Sequence, residues 1–332
     1  MKKPSKKLLI LPLIHKGRFY NFHEFGKLEG VESVFSNLKM YFGSLHNFMK
    51  SPVNKHAWIE KNPVILTSAE NPVITWLGHA TMLIQMNGVN ILTDPIFDSP
   101  VFLYRRILPF GIPPHQLPPI HVVLISHNHR DHTDAKTIRY LHQHHNPLFL
   151  VPQGDKVWFE KRGCTHVQEF MWWDAYTQGN LVFTFVPAWH WSRRGLFDNN
   201  RSLWGGWVVQ SSDHTIYFAG DTAYKKHYFT AIKEYFPTID VALMPIAPGE
   251  PDALMRKSHV NAKESIEAFI DCGARIFIPM HWGAFYFGHD SFEQPIHDVR
   301  KWWRHYLGSS KDHTLRLVKL AEQFALSDHK NS

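Results

Sequence analysis

A chain of 332 residues with 44% hydrophobic and 14% aromatic content can bury a large core, which excludes a disordered chain and suits one big domain or two modest ones. Its two cysteines, Cys164 and Cys272, are far apart and form no C-x-x-C pair, so neither a disulfide framework nor a thiolate zinc site is indicated, and a cytoplasmic setting is expected. The formal charge of +7 and a pI near 9.2 favour acidic partners such as nucleic acid, anionic lipid or phosphorylated substrates, and the aromatic content tilts that choice toward lipid.

At the start of the chain Lys2, Lys3, Lys6 and Lys7 precede a short apolar run over 8–14, in the manner of a charged leader. No small-x-small cleavage site comes after it, and no stretch approaches the ~20 apolar residues that span a bilayer. The expectation is therefore a protein that touches a membrane surface without crossing it. Residues 31–49 carry Val31, Val34, Phe35, Leu38, Tyr41 and Phe42 at the spacing of one helical face. That stripe either packs on the main domain or meets a membrane or acyl chain, the second reading being supported by Lys39, His46 and Lys50 on other faces. Pro52, Pro63 and Pro72 punctuate the next segment, so residues 1–70 are read as an N-terminal arm and 71–332 as the main domain.

Short strands are predicted over 73–77, 82–86 and 89–92, the last two joined by the hairpin signal Asn87-Gly88, and Asp94 closes this meander. A proline-rich stretch over 109–119 leads to the apolar run 122–125. A helix is predicted over 135–145, with Thr133 or Asp134 as its cap. Further strands are predicted over 148–151, 181–186, 203–210, 215–219, 241–245 and 275–278, and helices over 223–236, 262–272 and 295–307. Strand meanders and strand-helix alternation occur twice, with no low-complexity linker between them. That pattern favours one layered α/β domain with helices outside two sheets.

Directly after the run 122–125 stands Ser126-His127-Asn128-His129-Arg130-Asp131-His132. A strand that stops abruptly can aim His127 and His129 at one point while Asp131 and His132 turn toward a neighbouring one. In a chain with 24 histidines this could be a His-rich surface loop, but its place after a buried-looking strand argues for metal binding. Imidazole and carboxylate donors suit zinc, and iron or manganese accept the same set. His190, Asp221 and His281 also stand at the ends of apolar strands. Singly each reads as an ordinary strand-end polar residue; together with the loop they complete a two-metal ligand set.

The H-x-H-x-D-H loop, His190, Asp221 within Ala219-Gly220-Asp221-Thr222, and His281 resemble the pattern of the metallo-β-lactamase superfamily. The resemblance implies a four-layer αβ/βα sandwich with a binuclear metal site between the sheets. Asp94 in Leu92-Thr93-Asp94-Pro95 matches the superfamily's aspartate that orients a ligand rather than binding metal. The segments Trp76 to Thr81, Leu92 to Phe97, His190-Trp191, Leu203-Trp204-Gly205 and His281-Trp282-Gly283 narrow the resemblance to the phospholipase D branch that hydrolyses N-acyl-phosphatidylethanolamine, over about residues 71–295.

Carried over residue by residue, the resemblance gives His127, His129 and His190 to one zinc ion and Asp131, His132 and His281 to the other, with Asp221 bridging. Two cations close together lower the pKa of a shared water toward about 7 and neutralise phosphoryl oxygens during attack. The implied reaction yields phosphatidic acid and an N-acylethanolamine through a metal-bridging hydroxide, with Asp131, Asp221 and His259 as catalytic residues. His259 would contact phosphate or protonate the leaving alkoxide, or be an ordinary helix-start residue. His79 is read as support for the ligands. Arg130 stands where the family's animal members have tyrosine; it holds a phosphate or points outward into solvent. Trp172, Trp173, Trp189 and Trp191 line an apolar groove or belong to the core. The resemblance also implies a homodimer and a phospholipid partner at a membrane surface. The competing readings are a lactonase, nuclease or other phosphodiesterase on the same scaffold, and a non-catalytic membrane-associated metal-binding protein. The dispersed Lys and Arg form no long basic arm, so a nucleic-acid partner is not expected.

Overall fold

The computed structural model describes residues 9–22, 54–100 and 105–326. The basic leader and the amphipathic helix expected over 31–49 lie outside the described residues. The chain opens with a hairpin of β1 (Leu13–His15) and β2 (Arg18–Tyr20). A first run of strands comes next: β3 (Val73–Gly78), β4 (Thr81–Met86), β5 (Val89–Thr93), β6 (Val122–Leu124), β7 (Leu148–Pro152) and β8 (Val167–Phe170). Helix α1 (Ala135–His145) joins β6 to β7, and α2 (Lys156–Glu160) joins β7 to β8.

The second run is β9 (Ala175–Gln178), β10 (Leu181–Val186), β11 (Gly206–Gln210), β12 (Thr215–Phe218), β13 (Ile239–Pro245), β14 (Ala274–Met280) and β15 (Thr314–Leu315). Its connections contain α3 (Lys226–Tyr235), α4 (Asp252–Met255), α5 (Ala262–Cys272) and α6 (Gln294–Tyr306). Strand β16 (Gln323–Ala325) then returns to the first sheet and pairs antiparallel with β3.

The result is two seven-stranded sheets, ordered β16-β3-β4-β5-β6-β7-β8 and β15-β14-β13-β12-β11-β10-β9. Each is antiparallel in one half and parallel in the other, the change falling at β5 and at β12. Parallel neighbours require crossover connections; helices supply them everywhere but between β5 and β6, where the described part of the connection holds only a 3-10 turn at Pro114–Gln116. Both faces of the first sheet are buried, so its strands read as near-continuous apolar runs. Met82, Ile84, Val122 and Leu124 belong to the core shared with the second sheet, whereas Leu83, Val123, Phe149 and Val151 pack with Ile138 and Leu141 of α1 and Phe159 of α2. Across the sheets, Trp207 donates from Nε1 to the Ile125 carbonyl at 2.8 Å and its ring meets Phe170 at 5.1 Å. On the far side, Phe269 of α5 packs edge-on against Phe277 of β14 at 5.3 Å. This is the four-layer sandwich that the resemblance implies.

Local chemistry explains where elements begin. Asp134 caps α1 by accepting from the Thr137 amide at 2.8 Å. The strand expected over 203–210 begins only at Gly206, because Leu203 and Gly205 donate their amides across to Gln153 and Ser126. The helix expected over 223–236 starts at Lys226, since the Ala223 amide is held by the Trp189 carbonyl. The short strands β1, β2, β8, β9, β15 and β16 escape the periodicity because they offer two to four residues each, too few for a pattern. No helix among the described residues is long and apolar enough to cross a membrane.

Parts of the expected arm pack on the body. Trp173 Nε1 donates to the Ile10 carbonyl at 2.7 Å, and Phe19 is buried. Trp58 lies edge-on to Trp282, which stacks on Trp76. The Asn21 side chain donates to the His190 carbonyl at 3.0 Å and accepts from Trp204 Nε1 at 3.1 Å. Replacing Asn21 with Ala is expected to cost about 1–3 kcal/mol, because it leaves buried polar groups unpaired; denaturant unfolding of the variant measures it.

Asp155, buried between Ser202 and Asn128, is pushed by burial from its ordinary 3.8 up to about 7 despite accepting hydrogen bonds from both. The folded state therefore binds this proton more tightly than the unfolded chain. Its contribution to stability is fully present below pH 3.8 and is lost as pH rises to about 7. Unfolding measured across that range should show a shallower loss of stability for Asp155→Asn.

Candidate metal centre

The rim at the C-terminal ends of the parallel strands collects the polar residues that succeed them in the chain. Asp94 comes after β5, the loop 126–132 after β6, Asp221 after β12 and His281 after β14. His190 arrives from β10, and His79 from the turn between β3 and β4. The backbone is left-handed at His79, Asp94 and His281, with φ of 56°, 33° and 60°. Such angles are costly for residues with a Cβ and persist where the surroundings enforce them.

Ligand-capable atoms converge there in four overlapping groups; one joins Asp94 to His127 and His132, another joins His190, Asp221 and His259, and the other two hold most of the candidates. His127, His129 and His190 offer nitrogens that all lie within 4.8 Å of one another, and so do the donor atoms of His79, Asp131, His132 and His281. His127 Nε2 is 2.9 Å from His129 Nδ1, and His190 Nε2 is 3.3 Å from the same atom. In the other group His132 Nε2 lies 3.1 Å from His281 Nε2 and 3.3 Å from Asp131 Oδ2. Asp221 sits between the groups. Its carboxylate is 3.1 Å from His281, 3.2 Å from His132, 3.9 Å from His190 and 4.0 Å from His127.

The hydrogen bonds around the rings fix which nitrogen is free. Ser126 donates its hydroxyl to Asp94 at 2.5 Å, so it accepts from His127 Nδ1 at 2.9 Å. His132 Nδ1 donates to Asp94 at 2.7 Å, His190 Nδ1 to the Ser258 carbonyl at 2.8 Å and His281 Nδ1 to the Ala247 carbonyl at 2.8 Å. All four rings therefore turn Nε2 into the centre. Lone pairs this close repel one another unless a positive charge lies among them. Mixed imidazole and carboxylate donors on a buried, anion-bearing site fit a divalent metal of the zinc, iron or manganese kind.

The proton affinities obey the same logic. Burial holds His127 well below the ordinary imidazole range and pushes His129 and His190 down to about 3, keeping these rings neutral. At His132 burial is outweighed by Asp221 and Asp131, which push it well up. Burial is likewise outweighed at Asp221 and Asp131, where His132 holds both carboxyls well below their usual range. The centre thus retains positive charge strongly, which is the environment a cation needs.

Of the remaining candidates, His79 donates from Nε2 to Asp131 at 3.0 Å, and its carbonyl accepts from the His281 amide at 3.1 Å. Burial brings His79 down to about 3. His259 sits with Nδ1 3.6 Å from Asp221, without a hydrogen-bond partner, and burial pushes it to about 3. Trp191 lies edge-on to His129 at 4.3 Å. Trp189 instead faces Tyr228 and carries Lys225 over its ring, and Trp172 and Trp173 are buried in the core. Arg130 is exposed and reaches the Arg194 carbonyl at 3.3 Å.

Sequence reasoning missed Arg194. Its Nη1 donates to the carbonyls of Asn128 at 2.8 Å and Thr133 at 2.6 Å, while its guanidinium lies 4.2 Å over Trp158. It ties the metal loop to the segment after His190, and only its nearness to His190 in sequence could have hinted at that. Backbone acceptors such as Ser258 and Ala247 carry no side-chain signal at all.

The β-lactamase superfamily domain profile matches residues 89–282. The chain is 35% identical over 232 residues to the mitochondrial N-acyl-phosphatidylethanolamine-hydrolyzing phospholipase D of Saccharomyces cerevisiae, a match covering 67% of this chain and 49% of that one. Thus it spans about half the length of the yeast relative. With N-acyl-phosphatidylethanolamine-hydrolyzing phospholipase D 1 of Caenorhabditis elegans it shares 32% identity over 270 residues, 76% of each chain. Among solved structures, a metallo hydrolase of the archaeon Ignicoccus hospitalis superposes with a TM-score of 0.61 at 18% identity, covering 77% of this chain and 99% of that one. The chain belongs to the β-lactamase superfamily of metal-dependent hydrolases, and within it resembles the N-acyl-phosphatidylethanolamine-hydrolysing phospholipases D.

Proposed function

We propose that the chain is a binuclear phosphodiesterase of the phospholipase D type, which cleaves N-acyl-phosphatidylethanolamine or a related phospholipid at a membrane surface. The observation that carries this reading is Asp221, set between two groups of inward-facing donors. In it, His127, His129 and His190 would hold one zinc ion and Asp131, His132 and His281 the second, with Asp221 available to both. The pair of ions supplies Lewis acidity toward phosphoryl oxygens and a water acidified toward about pH 7. The activity for which the yeast and worm relatives are named supports the substrate class.

The chain's own residues have distinct tasks. Asp94 and Ser126 orient His132 and His127, and His79 orients Asp131. His259, a neutral imidazole beside Asp221, would take the proton that the attacking water gives up and pass it to the alkoxide of the departing N-acylethanolamine as the phosphorus-oxygen bond breaks. Trp191 lies against the lipid beside His129. The hydrolysis adds water across that one bond and leaves phosphatidic acid and the N-acylethanolamine as products.

Purified protein should retain about two metal equivalents per chain by elemental analysis and release an N-acylethanolamine from N-acyl-phosphatidylethanolamine vesicles. Phosphatidylcholine, a soluble phosphodiester, a polynucleotide and a lactone offered in parallel separate the alternative chemistries. No turnover of any phosphodiester by a protein carrying two metals would sink this reading. Asp221→Ala should lose at least one metal equivalent together with activity.

Asp94→Ala removes the acceptor for both Ser126 and His132, so metal retention should weaken about 10–100-fold in competition with a chelator. Unchanged retention would show that Asp94 does not position these rings. His259→Gln should keep both metals but lower kcat on the lipid by about 100-fold or more, the scale of a lost proton-transfer group.

A further inference from the structure

From Trp191, which packs on His129, the chain runs outward to a tip formed by Leu196 and Phe197. These side chains are 87% and 83% exposed, more than any other exposed large hydrophobic among the described residues, the next being Val64 at 68%. Isolated apolar side chains on a surface are ordinary. Two adjacent ones at such exposure, on a loop that begins at the metal centre, are not.

The loop is held rigidly in this shape. Both carboxylate oxygens of Asp198 accept from the Gly195 amide, at 2.8 and 2.9 Å, and from the Arg194 amide. The Asn200 amide donates to the Ser192 carbonyl at 2.7 Å, closing the loop at its base. Arg18 of β2 donates to the Phe197 carbonyl at 3.2 Å and also to the Asn199 carbonyl. With its backbone tied from inside and from the neighbouring hairpin, the tip presents its apolar side chains at little further ordering cost.

The charge around the tip is positive. Arg18 reaches the Phe197 carbonyl, Arg130 reaches the Arg194 carbonyl, Arg193 lies 5.6 Å over Trp191, and Arg201 is exposed just beyond. The acid within this loop, Asp198, is engaged with the loop's own amides. Apolar side chains projecting beyond a ring of cations match one partner, a bilayer whose acyl region takes the former and whose anionic headgroups meet the latter.

We propose that the 193–201 loop is a membrane-docking element, in which Leu196 and Phe197 enter the headgroup-acyl boundary of an anionic bilayer and Arg18, Arg130, Arg193 and Arg201 lie at its phosphate level. This rests on the reading of the centre as a lipid hydrolase. It adds a surface that brings the centre to its substrate, distinct from the basic leader and the apolar stripe over 31–49, and built with Arg18 of the arm. Arg130 then serves the membrane plane rather than the reacting phosphate.

The test reads binding apart from turnover. Full-length protein should co-sediment with vesicles containing phosphatidylglycerol, with binding that falls as salt rises. The double variant Leu196→Ser/Phe197→Ser should bind them about tenfold or more weakly, while turning over a soluble phosphodiester within about twofold of the parent. Equal vesicle binding by variant and parent, or no binding by the parent, overturns the proposal. A second readout uses the burial of Cys164 and Cys272, which leaves the thiol of Leu196→Cys the accessible one for an environment-sensitive dye. Its emission should shift to the blue on anionic vesicles, and an unchanged spectrum would overturn insertion. Failure of phosphodiester turnover with intact vesicle binding would count against the hydrolase reading and leave the docking loop standing.

Discussion

Everything at the rim answers to one constraint: imidazole nitrogens from separate strands are packed around a buried carboxylate at 3–4 Å, and that arrangement is repulsive without positive charge inside it. Against the effect of burial, the carboxylates of Asp221 and Asp131 raise the proton affinity of His132, which can carry that charge. A divalent cation satisfies the same lone pairs more completely than a proton can, because it accepts several at once. The sandwich supplies what such a cluster needs, namely walls stiff enough to hold like groups together.

Stiffness comes from two kinds of device. One is the pair of sheets, with Trp207 spanning between them onto the backbone of Ile125, immediately before the metal loop. The other is a set of backbone and side-chain acceptors that pin four of the rings by the outer nitrogen: Asp94 for His132, Ser126 for His127, the Ser258 carbonyl for His190 and the Ala247 carbonyl for His281. Because the outer nitrogens are occupied, the inner ones cannot turn away. His79 adds a cross-link of its own, holding Asp131 by its ring and His281 by its carbonyl.

The segment after His190 extends this order to the surface. Arg194, half-buried against Trp158, braces the loop 126–133 through two carbonyls, and three residues on Phe197 stands almost fully in solvent. A side chain that stabilises the centre and side chains suited to a lipid surface thus share one short loop. Residues 9–22 border the same loop from the other side, through Arg18 and Phe19, so the start of the chain helps to shape it.

Much of the centre was legible in the sequence. His127, His129, Asp131 and His132 are spaced for metal binding within one loop, and His190, Asp221 and His281 each stand after an apolar run long enough to be recognised as a strand. The long elements were legible for the same reason, as with α5, where the apolar period covers the whole helix. What tertiary structure alone decided has no local signature. Nothing in the periodicity says that β16 returns to pair with β3, that Asn21 holds the His190 carbonyl, or that Trp189 turns away while Trp191 turns in. Nor does sequence distinguish Arg194, which donates to the carbonyls of Asn128 and Thr133, from Arg193 beside it, which lies over Trp191. The candidate ligands could be picked out by residue type and spacing because metal chemistry restricts both. The orientation of these side chains, and the exposure of Leu196 and Phe197, depended on contacts between distant segments, which exist only once the two sheets have closed on each other.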